Sequence, residues 1–158
     1  MTKLARDIMT RNVITVPQSM DLRDLAKLLL EKGISGAPVT DDRGDLVGVV
    51  SQTDLIYYSL SRDDELTIRT DFYASARMEG SHIPTGFQIE DTNTGTVEDV
   101  MTPVIYAVAE DTPVDRIALM MTREHIHRVI VRDGQQPVGV ISALDLLRVL
   151  PAVASASA

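Results

Sequence analysis

Two stretches of the sequence, Gly48–Asp54 and Gly139–Asp145, carry the side chains best suited to binding a ligand, in the shared pattern Gly-x-x-Ser-x-x-Asp. Each follows an apolar run of the β type and leads into the start of a predicted helix. The first N–H groups of a helix lack partners within it and lie at the positive end of its dipole, so this junction favours anions. The serine hydroxyl can donate to a phosphate, and the aspartate can accept both hydroxyls of a ribose. The pattern therefore suits a nucleoside better than an inorganic anion.

The same spacing is also typical of a capping box, which is a structural device. There the serine caps the helix and the acidic side chain reaches back to the N–H of the cap residue. Residue chemistry by itself favours this alternative, and it applies equally to both stretches. Neither serine has a general base in the surrounding pattern, and the sequence has no phosphate-loop, dinucleotide-binding or nucleophile-elbow motif. A binding protein is therefore expected rather than an enzyme.

The two stretches belong to an internal duplication. Displaced by 92 positions, Asp7–Thr10 (Asp-Ile-Met-Thr) falls on Asp99–Thr102 (Asp-Val-Met-Thr), and displaced by 91 positions, Val47–Ser51 falls on Val138–Ser142. The change by one position lies in a polar turn, where a true duplication tolerates it. Each unit spans only about 50 residues, so the two units are expected to bury their apolar faces against each other.

Hydrophobic periodicity alternates between the strand and helix types within each unit. The first helix of the first unit is predicted to begin after Asp21 and to end at Gly33, because an aspartate cap and a terminal glycine bound an apolar stripe of helical spacing. The equivalent helix of the second unit is expected to start with Thr112 as its cap and Pro113 at its first position. The resulting element order is β-α-β-β-α, twice, which predicts an α/β protein.

The composition excludes several classes of protein. The 158 residues include 15 basic and 23 acidic ones, for a formal net charge of −8, whereas a nucleic acid or an anionic membrane needs a concentrated positive face. There is no cysteine, which excludes disulfides, thiolate zinc sites and cysteine nucleophiles. No run approaches the roughly 18 apolar residues of a membrane span, and no signal-peptide core is visible. A soluble cytoplasmic protein is expected.

The repeated motifs resemble those of the CBS domain, which usually occurs as a tandem pair called a Bateman module. The resemblance rests on Asp-x-Met-Thr before the first strand, on Gly33–Val39 (Gly-Ile-Ser-Gly-Ala-Pro-Val) at the second strand, and on the repeated Gly-x-x-Ser-x-x-Asp. It implies an α/β fold of two CBS domains, each β-α-β-β-α, packed with pseudo-twofold symmetry into one module. The expected boundaries are 1–59 for the first CBS domain, 60–95 for an acidic connector, 96–150 for the second CBS domain and 151–158 for a disordered tail.

The function that this resemblance implies is regulatory. CBS pairs bind adenosine-containing ligands in two clefts between the domains, and an attached domain or a partner senses the ligand. The resemblance thus implies a module that binds AMP, ADP, ATP (with Mg²⁺ as a possible companion) or S-adenosylmethionine, forms a homodimer and signals to an unidentified protein in trans.

The resemblance also assigns residues to each cleft. Because the 126–128 run Ile-His-Arg resembles that of the gamma subunit of AMP-activated protein kinase, the first cleft is expected to suit phosphate better. In the second cleft the matching positions hold no cation. The first cleft would contain Ser51, Asp54, Thr112, His127 and Arg128. The second cleft would contain Ser142, Asp145, Met20, Ser35, Gly36 and Ala37.

Two further features leave alternatives open. His125 and His127 stand two positions apart without a third ligand at suitable spacing, so no metal site is expected. The connector and the residues just before it hold five of the six aromatic residues, with a helix expected over Leu66–Met78 and a loop over Gly80–Gly95. This segment is either a surface insertion or a lid or dimer contact. The alternative function is accordingly an interaction or dimerisation scaffold with vestigial clefts.

Overall fold

The computed structural model describes residues 2–61, 95–103 and 105–150. They form two copies of one arrangement, in which a short helix precedes the predicted β-α-β-β-α order. The first copy contains α1 (Ala5–Ile8), β1 (Val16–Pro17), α2 (Leu22–Lys32), β2 (Gly36–Thr40), β3 (Leu46–Ser51) and α3 (Gln52–Ser61). The second contains α4 (Val97–Val100), β4 (Ala107–Ala109), α5 (Val114–Glu124), β5 (Arg128–Asp133), β6 (Gln136–Ser142) and α6 (Ala143–Arg148). The helix expected over 66–78, the loop expected over 80–95 except for Gly95, and the tail expected over 151–158 lie outside the described residues.

Each copy builds a three-stranded sheet of mixed direction. β1 runs parallel to β2, β2 is antiparallel to β3, and β4, β5 and β6 repeat this order. The parallel pair needs a crossover, which α2 or α5 supplies. The apolar stripe of α2 (Leu22, Leu25 and Leu29) is fully buried, and Ile117 and Met121 of α5 are buried as well. Hydrophobic periodicity therefore predicted both crossover helices correctly.

The ends of α2 follow the predicted signals. The Asp21 carboxylate accepts the N–H of Arg23 at 2.8 Å, and Gly33 ends the helix in the left-handed conformation at φ 62°. α5 ends in the same conformation at His125, with φ 54°. A left-handed residue without glycine's freedom is uncommon, so the shape of this helix end, rather than the glycine, is what the two copies share.

The start of α5 differs from the prediction. Pro113 takes the cap position, the helix begins at Val114, and no side chain caps it, so the expectation that Thr112 is the cap was wrong. The reason is tertiary: Pro113 forms an antiparallel bridge with Leu4 and stays extended at ψ 141°, so the helix starts after it. The Thr112 carbonyl accepts the N–H of Ala5 at 2.8 Å, because the N-terminal segment of the chain pairs with this turn.

The two copies exchange their short N-terminal helices. Ala5 and Met9 are buried in the core of the second copy, while Val97 is buried in the core of the first. Backbone hydrogen bonds fix the crossing: the N–H of Thr10 donates to Val140 O at 2.9 Å, and the N–H of Val140 donates back at 3.1 Å. Each core is therefore completed by the other copy, and the two copies pack as one unit.

The aspartates of the repeated Asp-x-Met-Thr motif stabilise the exchanged helices. Asp7 Oδ2 accepts the N–H of Leu4 at 2.8 Å, and Asp99 Oδ2 accepts the N–H of Thr96 at 2.7 Å. Each bond satisfies a donor at the start of a helix that is only one turn long. The aspartate is therefore a structural element of the motif.

The methionines of that motif explain why both copies have a glycine at the start of Gly-x-x-Ser-x-x-Asp. A Cβ on Gly48 would lie 2.9 Å from both Met101 Sδ and the carbonyl oxygen of Thr102, and a Cβ on Gly139 would collide with Met9. Glycine is needed at both places because a segment of the opposite copy crosses directly over the strand. The first residue of Gly-x-x-Ser-x-x-Asp is thus set by packing between the copies.

Candidate ligand-binding cavity

A cavity of about 440 Å³ lies between the two copies, where β6 leads into α6. Small-molecule sites typically occupy about 300–1,000 Å³. Both copies build the wall, so the cavity depends on their packing. The first copy supplies Thr10, Asn12, Val13, Ile14, Gly33, Ile34, Ser35, Gly36 and Pro38. The second copy supplies Arg128, Val140, Ser142, Asp145 and Arg148.

Ser142 and Asp145 form the predicted capping box inside this wall. Asp145 Oδ2 accepts from both the N–H and the Oγ of Ser142 at 2.8 Å, and the N–H of Asp145 donates to Ser142 Oγ at 3.3 Å. The second carboxylate oxygen, Oδ1, faces Arg148, whose Nη1 donates to it at 3.1 Å. The cap therefore uses one oxygen of Asp145, and the other is available to a ligand that replaces Arg148.

Ser51 and Asp54 form the same local structure in the first copy. Asp54 Oδ2 accepts from the N–H of Ser51 at 2.7 Å and from its Oγ at 3.0 Å. Ser51 is only 2% exposed, and the adjacent Gln52 is also buried, with its Nε2 donating to Ile34 O at 3.1 Å. In contrast to Ser142, which is half-buried in the cavity wall, the hydroxyl of Ser51 is closed off from solvent.

Arg128 lies in the wall of the cavity around Ser142 and Asp145. Its Nη1 donates to Ser35 Oγ at 2.8 Å, across the two copies. The sequence assigned Arg128 to the cleft of Ser51 and Asp54. Its strand register explains the difference: Arg128 pairs directly with Ser142 on the neighbouring antiparallel strand, and directly opposed residues project from the same face of a sheet.

Arg148 is a wall residue that the sequence analysis missed. It stands one helical turn after Asp145, and this i, i+3 spacing of opposite charges was the available signal. With Arg128 it places two guanidinium groups in a cleft whose matching positions were expected to hold no cation. That expectation considered only the positions that the resemblance matched to this cleft, and neither arginine is at one of them.

The segment before β1 was also missed. Thr10, Asn12, Val13 and Ile14 line the cavity, and the pairing of Thr10 with Val140 brings them there. Asn12 adopts a left-handed conformation at φ 60°, which asparagine tolerates better than most residues. The sequence offered no signal for this contribution, because it depends on the exchange of segments between the copies.

The remaining predicted site residues lie elsewhere among the described residues. Thr112 is half-buried at the start of α5, and His127 is exposed, with its carbonyl accepting the N–H of Ala143 at 2.9 Å. Met20 packs against the first core, and Ala37 is fully buried within it. Gly36 and Pro38, on either side of Ala37, line the cavity, whereas Ala37 itself does not. The cleft predicted around Ser51 and Asp54 stays a prediction.

In the described parts of the chain, no three His, Asp or Glu side chains come together as metal ligands, and His125 and His127 are both exposed. Within those same ranges, no helix has both the length and the apolar character needed to cross a membrane.

Comparison with known families matches both halves of the chain. The family model described as CBS domain matches residues 5–61 and 97–152. Among curated proteins, the chain is 26% identical over 146 residues to L-aspartate semialdehyde sulfurtransferase of Methanocaldococcus jannaschii, covering 92% of this chain and 23% of that enzyme. The chain thus spans less than a quarter of that relative's length.

Solved structures show the same fold. The CBS domain pair of protein MJ0100, in complex with 5′-methylthioadenosine and S-adenosyl-L-methionine, superposes with a TM-score of 0.65 at 25% identity, covering 94% of this chain and 95% of that one. CBSX2 in complex with AMP superposes with a TM-score of 0.64 at 25% identity, covering 92% and 93%. The chloroplastic CBSX2 of Arabidopsis thaliana is 30% identical to this chain over 150 residues, which are 90% of this chain and 61% of that protein.

Proposed function

The chain belongs to the CBS domain family as a tandem pair of its domains, and on this premise we propose that it is a regulatory module, not an enzyme, that binds an adenosine-containing ligand between its two domains. AMP, ADP, ATP and S-adenosylmethionine are the candidate ligands. The observation that carries the proposal is the cavity around Ser142 and Asp145, which both domains build. The similar CBS pairs solved with AMP and with S-adenosylmethionine support the class of ligand.

The wall of the cavity suits the parts of an adenosine. Val13, Ile14 and Pro38 present apolar surface, which favours the flat face of an adenine ring. Asp145 Oδ1 can accept the ribose hydroxyls, since the cap occupies only Oδ2. A ligand held in this way touches both domains at once.

Contact with both domains gives the ligand a means of regulation. A ligand shifts a conformational equilibrium only through different interactions with the two states. A molecule bound between the domains favours the arrangement in which both walls face it. We include in the proposal that a partner protein senses this arrangement in trans.

A second cleft around Ser51, Asp54, Thr112 and His127 remains part of the proposal, as the pseudo-symmetric counterpart of the cavity. Arg128, which the sequence assigned to that cleft, lies in the wall of the cavity instead. Binding stoichiometry separates the two possibilities. One ligand per chain supports the cavity alone, whereas two ligands per chain support both clefts.

Exposed leucines favour protein contact as a second candidate function. Leu119 on α5 is 48% exposed, and Leu144 and Leu147 on α6 are 45% and 59% exposed. α5 and α6 pack against each other, so these side chains can join into one apolar patch, which is the kind of surface that marks protein contacts. We propose this side as the homodimer contact. Light scattering of Leu147→Glu tests it: a dimer that becomes a monomer supports the contact, and an unchanged mass contradicts it.

The main proposal is tested first on the purified full chain. Mass spectrometry after denaturation identifies any nucleotide that copurifies, and calorimetry with AMP, ADP, ATP (with and without Mg²⁺), adenosine and S-adenosylmethionine then measures affinity and stoichiometry. Saturable binding of at least one adenosine compound is expected. If none of them binds at millimolar concentration, the ligand proposal is wrong, and the interaction scaffold replaces it.

A further inference from the structure

The charged side chains of the cavity wall include more cations than anions. Among the wall residues, Arg128 and Arg148 contribute two guanidinium groups, and Asp145 contributes a carboxylate. The chain as a whole has a formal net charge of −8, so the wall is a local exception in an acidic protein. Such a wall attracts an anionic group of a ligand and disfavours a cationic one.

Arg128 is held in place by a contact between the two domains. Its Nη1 donates to Ser35 Oγ at 2.8 Å, and Ser35 is only 7% exposed. Arg128 is half-buried and lies opposite Ser142 in the sheet. Because this hydrogen bond already orients the guanidinium group, a ligand that contacts it loses less binding free energy to the ordering of the side chain.

Arg148 differs from Arg128 in both exposure and partner. Its side chain is 76% exposed, and its Nη1 lies 3.1 Å from Asp145 Oδ1. Arg148 is the exposed member of the pair, whereas the Asp145 side chain is only 11% exposed. Asp145 therefore needs a polar partner at Oδ1, and a ligand group can take that place because Arg148 can turn toward solvent. A ribose hydroxyl that donates to Asp145 Oδ1 takes the place of Arg148, which then needs another anion within reach.

We propose that the cavity selects adenosine ligands that carry a 5′-phosphate, and that Arg128 and Arg148 make this selection by pairing with the phosphate. The inference rests on the proposed function and narrows its class of ligand. When a nucleotide binds, the ribose takes Asp145 Oδ1 and the phosphate takes Arg148, so both members of the ion pair keep a charge-assisted partner. Adenosine and 5′-methylthioadenosine would separate Arg148 from Asp145 without giving Arg148 a new anionic partner. S-adenosylmethionine brings a sulfonium cation to a positive wall.

The duplication shows that the two arginines are not part of the repeated motif. Displacement by 91 positions places Tyr57 opposite Arg148, and displacement by 92 places Gly36 opposite Arg128. The pseudo-symmetric positions of the first domain therefore hold no charge. This asymmetry ties the preference for phosphate to the cavity around Asp145.

Calorimetry on the full chain, freed of copurified ligand, tests the inference with AMP, adenosine, 5′-methylthioadenosine and S-adenosylmethionine. AMP is expected to bind at least about tenfold more tightly than the other three, as one charge-assisted contact allows. Arg148→Gln and Arg128→Gln should each weaken AMP binding by about tenfold. Adenosine binding should stay nearly unchanged in Arg128→Gln and should become no weaker in Arg148→Gln, because that variant has no ion pair for adenosine to break. Higher ionic strength should weaken AMP but not adenosine, because salt screens the charge interaction.

Arg43→Gln is the matched control. Arg43 is exposed in the turn between β2 and β3, at the far end of the strands from the cavity, so the same loss of charge there should leave AMP affinity unchanged. Arg148→Lys and Arg128→Lys keep the charge without the planar fork and should recover part of the affinity. Thermal unfolding of each variant verifies that it is folded.

The possible outcomes separate the inference from the proposed function. If adenosine or S-adenosylmethionine binds as tightly as AMP, or if both arginine variants keep the wild-type preference, the selection for phosphate is wrong while the adenosine site stands. An equal loss in Arg43→Gln also overturns it, because the effect is then one of overall charge. If no adenosine compound binds, the proposed function fails, and the inference fails with it.

Discussion

The two Ser-x-x-Asp pairs of this molecule have the same local structure in different surroundings. In both, the aspartate Oδ2 accepts from the serine N–H and Oγ at distances between 2.7 and 3.0 Å. Ser51 is 2% exposed beside the buried Gln52, whereas Ser142 is half-buried in a cavity wall with Arg148 close by. The motif therefore specifies a helix cap, and the residues around each cap decide whether it faces a cavity or the closed interior.

The largest expected effect comes from replacing the two aspartates in turn. Asp145→Asn should weaken binding of the adenosine ligand by about a hundredfold, or ~3 kcal/mol. The reason is that a neutral amide replaces the carboxylate that accepts the two ribose hydroxyls. Asp54→Asn alters an equivalent cap and is the matched control, with affinity at the cavity unchanged. Calorimetry measures both. An equal loss in the two variants, or a loss in Asp54→Asn alone, would mean that the cleft of the first domain binds the ligand.

Gly48 and Gly139 allow a test of whether the crossing segments pack equally tightly in the two domains. Gly48→Ala and Gly139→Ala should each lower the free energy of unfolding by about 2 kcal/mol, because the new methyl group meets the crossing segment of the other domain. Gly48→Ala should cost more. Its Cβ would meet the Thr102 carbonyl oxygen, which is fixed by a 3.0 Å hydrogen bond from the N–H of Val49, as well as a flexible methionine.

Denaturant unfolding measures these two changes, and Gly134→Ala is not a suitable control because its positive φ adds strain of its own. The exposed substitution Leu60→Ala serves instead. If the two glycine variants were as stable as the wild type, the crossing segments would not pack as tightly as the structure indicates.

The smallest expected effect concerns the residues that support the arginine. Ser35→Ala removes the hydroxyl that orients Arg128 and should weaken a phosphate-bearing ligand by about fivefold, or ~1 kcal/mol. His127 is the counterpart of Ser35 at a displacement of 92 positions, and His127→Ala should leave the cavity's affinity unchanged. The reverse result, measured by the same titration, would place the phosphate in the first cleft.

Much of the fold was predictable because its signals are local. Asp21 and Gly33 bound α2 as predicted, and the duplicated spacing gave the element order twice. The capping boxes follow from the same kind of signal, since the bonds join residues three positions apart. Interactions of this range can be read from spacing alone.

The structure differs from the sequence-based expectations where distant parts of the chain meet. Thr112 is not the cap of α5, because Pro113 is bridged to Leu4 and stays extended, which delays the start of the helix. Arg128 lies in the cavity of Asp145, because strand register sets its direction and Ser35, 93 positions away, accepts its hydrogen bond. Residue types and spacing within one repeat do not contain these relations.

The duplication and the order of the elements could be read from the sequence, and so could a possible cap at each serine–aspartate pair, because these signals span only a few residues. Which cap faces a cavity, and which cations surround it, depends on contacts between the two domains. These contacts arise because α1 and α4 exchange between the domains, which completes each core and carries the segment around Asn12 into the wall. A wall built from both domains exists only after they pack, so its charge could not be read from either repeat alone.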